Sequence, residues 1–461
     1  MDVLNMARAE DRPARDTRSG GLTLVALCLA VLVAQVDTAV VNLAVKPIGA
    51  SFGAGVGAMQ WIIDSYNLVY AVLLLTGGLL ADLYGRRLVF MTGGLLFTVA
   101  SLICAFASSV AMLLAGRAIA GLGAAFIIPS SLAIIRVVWH EPTARGRALG
   151  IWAACNGLAF VIGPTLGGLL IHHFGWPSVF LVVVPLAVAA LVLAPIAIPE
   201  SRDPAGRHFD APAQALGMIT LGGIAFAAIE SHGEPTFALI ALAVAAIALP
   251  FFVRIERLRG AAALVPLDIF AIREFRGAAV ATTGMTFGMY GVLFLLPLTW
   301  QSTGRLDATE AGLALIPMAL VFVIVSPFSG GLVRKFGARA TTSGGVSIIG
   351  LGLLLIGASI SQSGLLVAEI GLALTGLGMG IATGPLMGIA VGAVAASRSG
   401  TASSLINVAR MAGATIGVAT LGSVFALAGE GHGGLRAAMV LGGCVQIACA
   451  LYAWTARPEE R

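Results

Sequence analysis

The chain has 461 residues, of which 58% are hydrophobic and only 11% charged. Soluble domains are about a quarter charged, so the composition excludes an ordinary water-soluble domain and points to lipid as the main solvent. The net charge of +5 does not indicate nucleic acid, because the basic residues are scattered through short segments without a basic patch interleaved with aromatics.

Residues 1–20 are polar and carry Arg8, Arg12, Arg15 and Arg18. They read as a cytoplasmic tail with no cleavable signal ahead of it. A membrane-spanning helix needs about 20 mostly apolar residues. Fourteen segments reach that length: 22–44, 58–81, 88–107, 110–138, 147–171, 178–198, 213–230, 236–254, 277–300, 309–333, 340–360, 365–391, 402–427 and 434–456. The seventh and eighth are the shortest, and twelve is the competing count. The segments that would face the cytoplasm hold Arg86, Arg87, Arg145, Arg147, Arg202, Arg207, Arg254, Arg257, Arg259, Arg273, Arg276, Arg334, Lys335 and Arg339, against Lys46, Arg305 and Arg436 outside. Lys/Arg bias sets orientation, so both termini are expected in the cytoplasm. The longest polar loop, 254–276, contains Pro266 and Asp268 and is expected along the membrane surface. Cys28, Cys104, Cys155, Cys444 and Cys449 sit in apolar runs without metal-type spacing and read as small packing residues.

The sequence repeats itself once. Gly78 to Arg87 (GLLADLYGRR) closes the second segment and Gly330 to Arg339 (GGLVRKFGAR) closes the tenth, with glycines seven apart in both. The expected fold is an all-α polytopic membrane protein with an N-terminal six-helix bundle at 21–200, two inserted helices at 211–254, a cytoplasmic loop at 255–276 and a C-terminal six-helix bundle at 277–456. Paired halves moving about a central site are a common transporter plan.

Ionisable side chains inside the hydrocarbon cost roughly 2.5–3.5 kcal/mol each on insertion scales and mark functional positions. Four lie within the spans, Asp37, Asp64, Arg117 and Arg410, and Glu369 lies nearer an end. Asp37, Asp64 and Arg117 fall at one depth, about 10 Å below the outer surface at 1.5 Å per residue. Two acids and a base at one depth can share a pocket in which an acid exchanges a proton; the alternative is a fixed structural ion pair. Gln60, Asp64 and Asn67 follow i, i+4, i+7 on one helix face, and Thr38 and Asn42 flank Asp37; these either line a cavity or bond to neighbouring helices.

Asp82, between Gly78 and Gly85 and followed by Arg86 and Arg87, is expected to accept N–H groups at the start of the third helix or to pair with an Arg across the bundle. In the second copy Arg334 occupies the Asp82 position. The fifth helix carries Gly157, Gly163, Pro164, Gly167 and Gly168; Gly163 and Gly167 have the spacing of close helix packing, and Pro164 removes a backbone donor and kinks the helix. Arg410, near Asn407, contacts substrate or an acid, or snorkels to the cytoplasmic face.

Together these segments resemble the major facilitator superfamily. Gly78–Arg87 is similar to its loop signature between helices 2 and 3, Arg117 with Gly121, Gly123 and Ala124 to its helix 4 motif, and Gly157–Gly168 to its antiporter motif in helix 5. Asp37–Asn42, Trp61–Tyr66 and Asn407–Gly413 resemble the fourteen-helix drug:proton antiporter family. Lys46 stands where that family has a proline, with Pro47 one residue late, and Trp176–Phe180 also departs from its pattern. The resemblance implies a bacterial inner-membrane exporter, monomeric, driven by the proton gradient without a cofactor, that expels lipophilic and often cationic drugs; Arg117 is then implicated in proton transfer. A dedicated exporter of one endogenous metabolite and an uncoupled facilitator are the alternatives. No nucleophile–base pair, metal cluster or phosphate loop suggests an enzyme.

Overall fold

The computed structural model describes residues 17–202, 210–230, 234–260, 263, 265–358, 365–394 and 398–456. Their regular structure is entirely helical, as a spanning backbone must satisfy its N–H and C=O groups within each segment when lipid offers no partner. Fourteen long helices follow in chain order: α1 Thr17–Phe52, α2 Val56–Tyr84, α3 Arg86–Ala105, α4 Val110–Val138, α5 Pro142–Phe174, α6 Ser178–Ala197, α7 Ala211–Glu230, α8 Pro235–Arg259, α9 Arg273–Ser302, α10 Ala308–Phe336, α11 Ala338–Ala358, α12 Leu365–Gly392, α13 Ser399–Leu427 and α14 Gly431–Thr455. Among the described residues thirteen of these meet the length and hydropathy of a membrane span; the other, α5, is 33 residues long. Thirteen exceeds the competing count of twelve.

Two expectations change at helix ends. The last residues of the presumed tail, from Thr17, already belong to α1, and α1 runs through Lys46 and Pro47 to Phe52. Beyond it Trp176 donates to Ser51 Oγ at 3.0 Å and packs on the Phe52 ring. The α10 helix is interrupted near Leu315 and again at a 3-10 turn, Ser326–Phe328; Pro317 and Pro327 lie at these breaks, where the missing N–H ends the hydrogen-bond ladder. Part of the 254–276 loop is helical, as the end of α8 and the 3-10 turn Leu267–Ala271.

The helices form two six-helix bundles with the same packing. In α1–α6, helix α4 packs on α2 and α3, while α1 packs on α5 and α6 and α3 on α6; in α9–α14, helix α12 packs on α10 and α11, while α9 packs on α13 and α14 and α11 on α14. The halves meet along two seams, α2 against α13 and α5 against α10, with α1 touching α9 between them. The inserted α7 lies on α2 and α13, over one seam only, and α8 packs on α7.

Glycine sets how closely helices approach within each half. A Cβ on Gly77 would stand 2.0 Å from the Ala125 carbonyl, and one on Gly376 2.0 Å from that of Met318, at the equivalent α2–α4 and α10–α12 contacts. Gly163 and Gly167 lie against Ala39 and Val40 of α1, and Gly413 and Gly417 against Thr283 and Phe287 of α9. The close-packing reading of Gly163 and Gly167 therefore holds, and its second copy is Gly413 and Gly417. Gly157 and the kink expected at Pro164 lie outside the described side chains. Cys28 of α1 and Cys155 of α5 neighbour each other as free thiols, a pairing that their sequence spacing did not suggest.

The start of α1 and the end of α14 share one face of the bundle, here the terminal face; the other is the distal face. Among the described residues, direct side-chain hydrogen bonds between the halves cluster near the distal face. Gln60 donates to the Val418 and Ala419 carbonyls at 3.2 and 3.0 Å, Gln301 to the Leu43 carbonyl at 3.3 Å, and Thr309 to the Gly168 carbonyl at 3.0 Å. Gly168 thus belongs to the inter-half contact with α10.

Candidate functional site

Asp37 and Arg117 form an ion pair of 2.5 Å between α1 and α4, with each residue 1% exposed. The Arg117 Nε also donates to the Ile62 carbonyl at 3.0 Å, and the guanidinium lies over the Tyr66 ring, 4.6 Å from its centroid. Small residues make the reach possible: Gly121, one turn on from Arg117, sits with its Cα side against the Tyr66 backbone, where a Cβ would stand 2.5 Å from the carbonyl. The pair is neutral as a unit, which is how two charges persist in a buried interior.

Asp64 is 0% exposed, and among the described residues neither carboxylate oxygen has a hydrogen-bond partner. This corrects the expectation of a shared three-residue pocket. Equal depth does not fix rotation about a helix axis, and Arg117 reaches α1 rather than Asp64. Asp64 instead shares a face with Gln60, whose amide is bonded to α13, so this face of α2 looks across the seam between the halves. Continuing the antiparallel register set by Gln60, Asp64 stands at the level of Thr415.

Several unpartnered buried polar atoms lie on α2, α13 and α9: both side-chain polar atoms of Asn67 and the Tyr70 hydroxyl on α2, Thr415 Oγ1 and Arg410 Nε on α13, and Thr282 Oγ1 on α9; others, such as Ser343 Oγ and Gln446 Oε1, lie elsewhere. Buried polar groups are normally hydrogen-bonded, so unpaired ones mark a place with a further role. The α13 residues toward the distal end, Thr415, Val418, Ala419 and Leu421, are buried, whereas Asn407, Val408, Ala409 and Arg410 are half-buried. The seam therefore loosens toward the terminal face. Arg410 lies beside Tyr70 and Tyr290 rather than beside an acid, and among the described residues it forms no ion pair.

The remaining expected residues divide. Thr38 donates to the Ala34 carbonyl at 3.0 Å and Asn42 to the Thr38 carbonyl at 2.7 Å, so both bond along α1, although Asn42 Oδ1 stays unpartnered. Asn407 donates to the Ser403 carbonyl at 3.0 Å within α13. Glu369 is half-buried near the start of α12 and forms no ion pair among the described residues.

The Gly78–Arg87 segment ties α2, α3 and the chain beyond α6 together. Asp82 pairs with Arg86 four residues on, at 2.8 Å. The first N–H groups of α3, those of Arg87 and Leu88, are taken by the Glu200 carboxylate at 3.1 and 3.2 Å, from beyond the end of α6. Arg87 donates to the Ile198 carbonyl at 3.2 Å, and the Arg86 N–H to the Ser201 carbonyl at 2.8 Å. Gly85, at φ +124, supplies a turn that other residues rarely adopt, and its missing Cβ leaves room for Glu200. Gly78 packs on Pro129. In the second copy Gly337 has φ +82 and the Arg339 guanidinium stacks 4.4 Å from the Trp454 ring centroid on α14. The tenth residue of both copies thus anchors the last helix of its own half.

Sequence reasoning missed Tyr70, Tyr290, Thr415 and Glu200. Tyr70 was within reach, since it extends the polar row of α2 by three residues from Asn67; the other three sit in unrelated segments that only folding brings near.

Two equivalent bundles of lipid-length helices, with an unpaired acid buried on the seam between them, define a polytopic membrane transporter built from two halves. The family described as the Major Facilitator Superfamily matches residues 27–418, and the chain belongs to it. The chain is 36% identical to the multidrug resistance protein Stp of Mycobacterium tuberculosis, over 88% of this chain and 76% of that one. It is 33% identical to the multidrug efflux pump LfrA of Mycolicibacterium smegmatis, over 88% and 80%. It is 30% identical to the methylenomycin A resistance protein of Bacillus subtilis, over 95% of both. Among solved structures it resembles a partially occluded, inward-open xylose transporter XylE from E. coli, with TM-score 0.66, 16% identity and coverage of 96% and 100%. A POT family transporter gives TM-score 0.73 at 14% identity, with 94% of both chains covered. These structural likenesses concern the fold alone.

Proposed function

We propose that this protein is a proton-coupled antiporter that exports small lipophilic, often cationic, drugs or antibiotics across the bacterial cytoplasmic membrane by alternating access. The names of the curated relatives support drug export. The observation that carries the coupling is Asp64, fully buried on the α2–α13 seam with both carboxylate oxygens unpartnered. An ionised carboxylate left unpaired in such a place is costly, and either a proton or a cationic substrate removes that cost. Two ligands competing for one acid is the elementary condition for exchange. Asp37 does not serve this purpose, because Arg117 already balances it; Arg117 orders the bundle around α1, α2 and α4.

The Lys/Arg bias supports a cytoplasmic terminal face. The distal contacts through Gln60, Gln301 and Thr309 then close the outer side, and substrate enters from inside. Rocking the halves so that these distal contacts part opens the seam outward, where a proton displaces the substrate. One charge moving through 100 mV supplies about 2.3 kcal/mol, so the proton gradient suffices without a cofactor, and a monomer holds every part. The test is efflux of a fluorescent drug from proteoliposomes under an imposed pH gradient. Gradient-driven transport by the wild type that Asp64→Asn abolishes supports the reading; undiminished coupling in Asp64→Asn overturns it.

A second reading has its own support. The methylenomycin A resistance protein and a probable actinorhodin transporter of Streptomyces coelicolor, the latter 34% identical, carry names that specify one compound each. A dedicated exporter would protect a sensitive host against one antibiotic and not against a panel.

A further inference from the structure

The α2–α13 seam is polar at two levels. The first holds Asp64, Asn67 and Thr415. The second holds Tyr70, Tyr290 and Arg410, six residues further along α2 from Asp64, about 9 Å at the rise of a helix. At the second level Tyr70 and Tyr290 are 3% and 4% exposed. The Arg410 guanidinium is near enough to interact with the Tyr70 hydroxyl and acts on the Tyr290 phenol through its charge, while Arg410 Nε has no hydrogen-bond partner among the described residues. The backbone here is fixed: Thr286 donates to the Arg410 carbonyl at 2.8 Å and Thr283 to that of Ala409 at 3.2 Å, tying α13 to α9. Neither intramembrane acid of the first half neutralises Arg410, since Asp37 is held by Arg117 and Asp64 makes no hydrogen bond.

A guanidinium offers a planar fork of donors and no acceptor. With two phenols in its neighbourhood, it matches an oxygen-bearing group and repels a second cation. We infer that Arg410, Tyr70 and Tyr290 form a subsite for a hydrogen-bond acceptor, a carboxylate, phenolate or carbonyl oxygen, at the pole of the substrate opposite the cationic group held at Asp64. The inference rests on the export reading above and narrows it to two-poled substrates with about 9 Å between the poles. Proton displacement is unaffected, because it acts at the Asp64 pole.

Binding of a matched dye pair to the purified full-length protein, followed by tryptophan quenching, tests this. Rhodamine B carries a free carboxylate besides its cationic xanthene; its ethyl ester is a simple monocation. The wild type is expected to prefer the acid by about tenfold, the scale of one charge-assisted hydrogen bond. Arg410→Gln should bring the ratio to near one, Arg410→Lys to an intermediate value, and Tyr70→Phe should lower it two- to fivefold. An unchanged ratio in a folded Arg410→Gln protein overturns the subsite; if that variant does not fold, an unchanged ratio in both Arg410→Lys and Tyr70→Phe does the same. Equal affinity for both dyes in the wild type overturns the subsite while leaving export standing. Failure of the wild type to bind either dye overturns the subsite, while the export reading is decided separately by gradient-driven efflux from proteoliposomes.

Discussion

Arg117 of α4 holds Asp37 of α1 at 2.5 Å while its Nε reaches the Ile62 carbonyl of α2, so one side chain joins three helices. Asp64 lies two residues beyond Ile62 in sequence and has no such partner. The two acids therefore separate stability from coupling. Asp37→Asn leaves a buried guanidinium without its counter-charge and should cost about 3–5 kcal/mol, seen as a large drop in melting temperature in detergent. Asp64→Asn breaks no hydrogen bond and should shift melting little, while pH-gradient-driven efflux disappears. Equal melting losses in the two variants would contradict this division.

The glycine contacts give a second prediction. Gly77→Ala drives a Cβ to 2.0 Å from the Ala125 carbonyl, and forcing α2 from α4 should cost about 1–3 kcal/mol or more. Gly344→Ala, where nothing stands within 4 Å, should be neutral or stabilise the helix by roughly 0.5–1 kcal/mol. Thermal unfolding of the two variants side by side decides it.

Glu200 is predicted to matter more for the start of α3 than Asp82 does. Removing an acceptor from the first turn of a helix costs about 1 kcal/mol. Glu200→Ala should accordingly lower the melting temperature and raise hydrogen exchange at Arg87 and Leu88, whereas Asp82→Asn leaves exchange at those two amides as it was. Protection at Arg87 and Leu88 surviving Glu200→Ala would show that the cap lies elsewhere.

Outside the spans, hydrogen bonds from Arg398 hold the Asp268 carboxyl below the usual carboxylate range. Because the folded value is depressed, this pair stabilises the protein above the ordinary value of about 3.9, and the contribution fades as pH falls toward the folded value. Melting of the wild type between pH 5 and pH 3 should thus fall more steeply than that of Arg398→Gln. Both side chains are substantially exposed, 36% and 60%, so the difference should be small and should shrink in high salt. Superimposable profiles at low salt would show that the pair contributes nothing.

Most of the fold was legible because lipid leaves a length signature: an uninterrupted apolar run must be a helix, and its Gly78–Arg87 and Gly330–Arg339 endings revealed the doubling. Helix ends were less legible, since α1 continues through Lys46 and Pro47 once it leaves the apolar stretch. At the site, the i, i+4, i+7 face of Gln60, Asp64 and Asn67 could be read directly. Which acid Arg117 would choose could not, because depth follows from residue count and rotation does not. Glu200 gave no signal, being one of several polar residues after α6 until the chain turns at Gly85 and brings it onto α3.

The glycine seams also form a map of stiffness. Within each half, backbone lies directly on backbone at Gly77, Gly123, Gly376 and Gly378, and such joints cannot slide without collision. Between the halves, the distal connection combines one close backbone approach, Gly168 of α5 against Ala308 and Thr309 of α10, with individual side-chain amides and hydroxyls from Gln60, Gln301 and Thr309, which tolerate a change of angle. The two joints thus differ in compliance: at α5–α10 backbone meets backbone at Gly168, whereas at α2–α13 Gly422 meets the Gln60 side chain, and it is over this softer joint that the hairpin of α7 and α8 adds bulk.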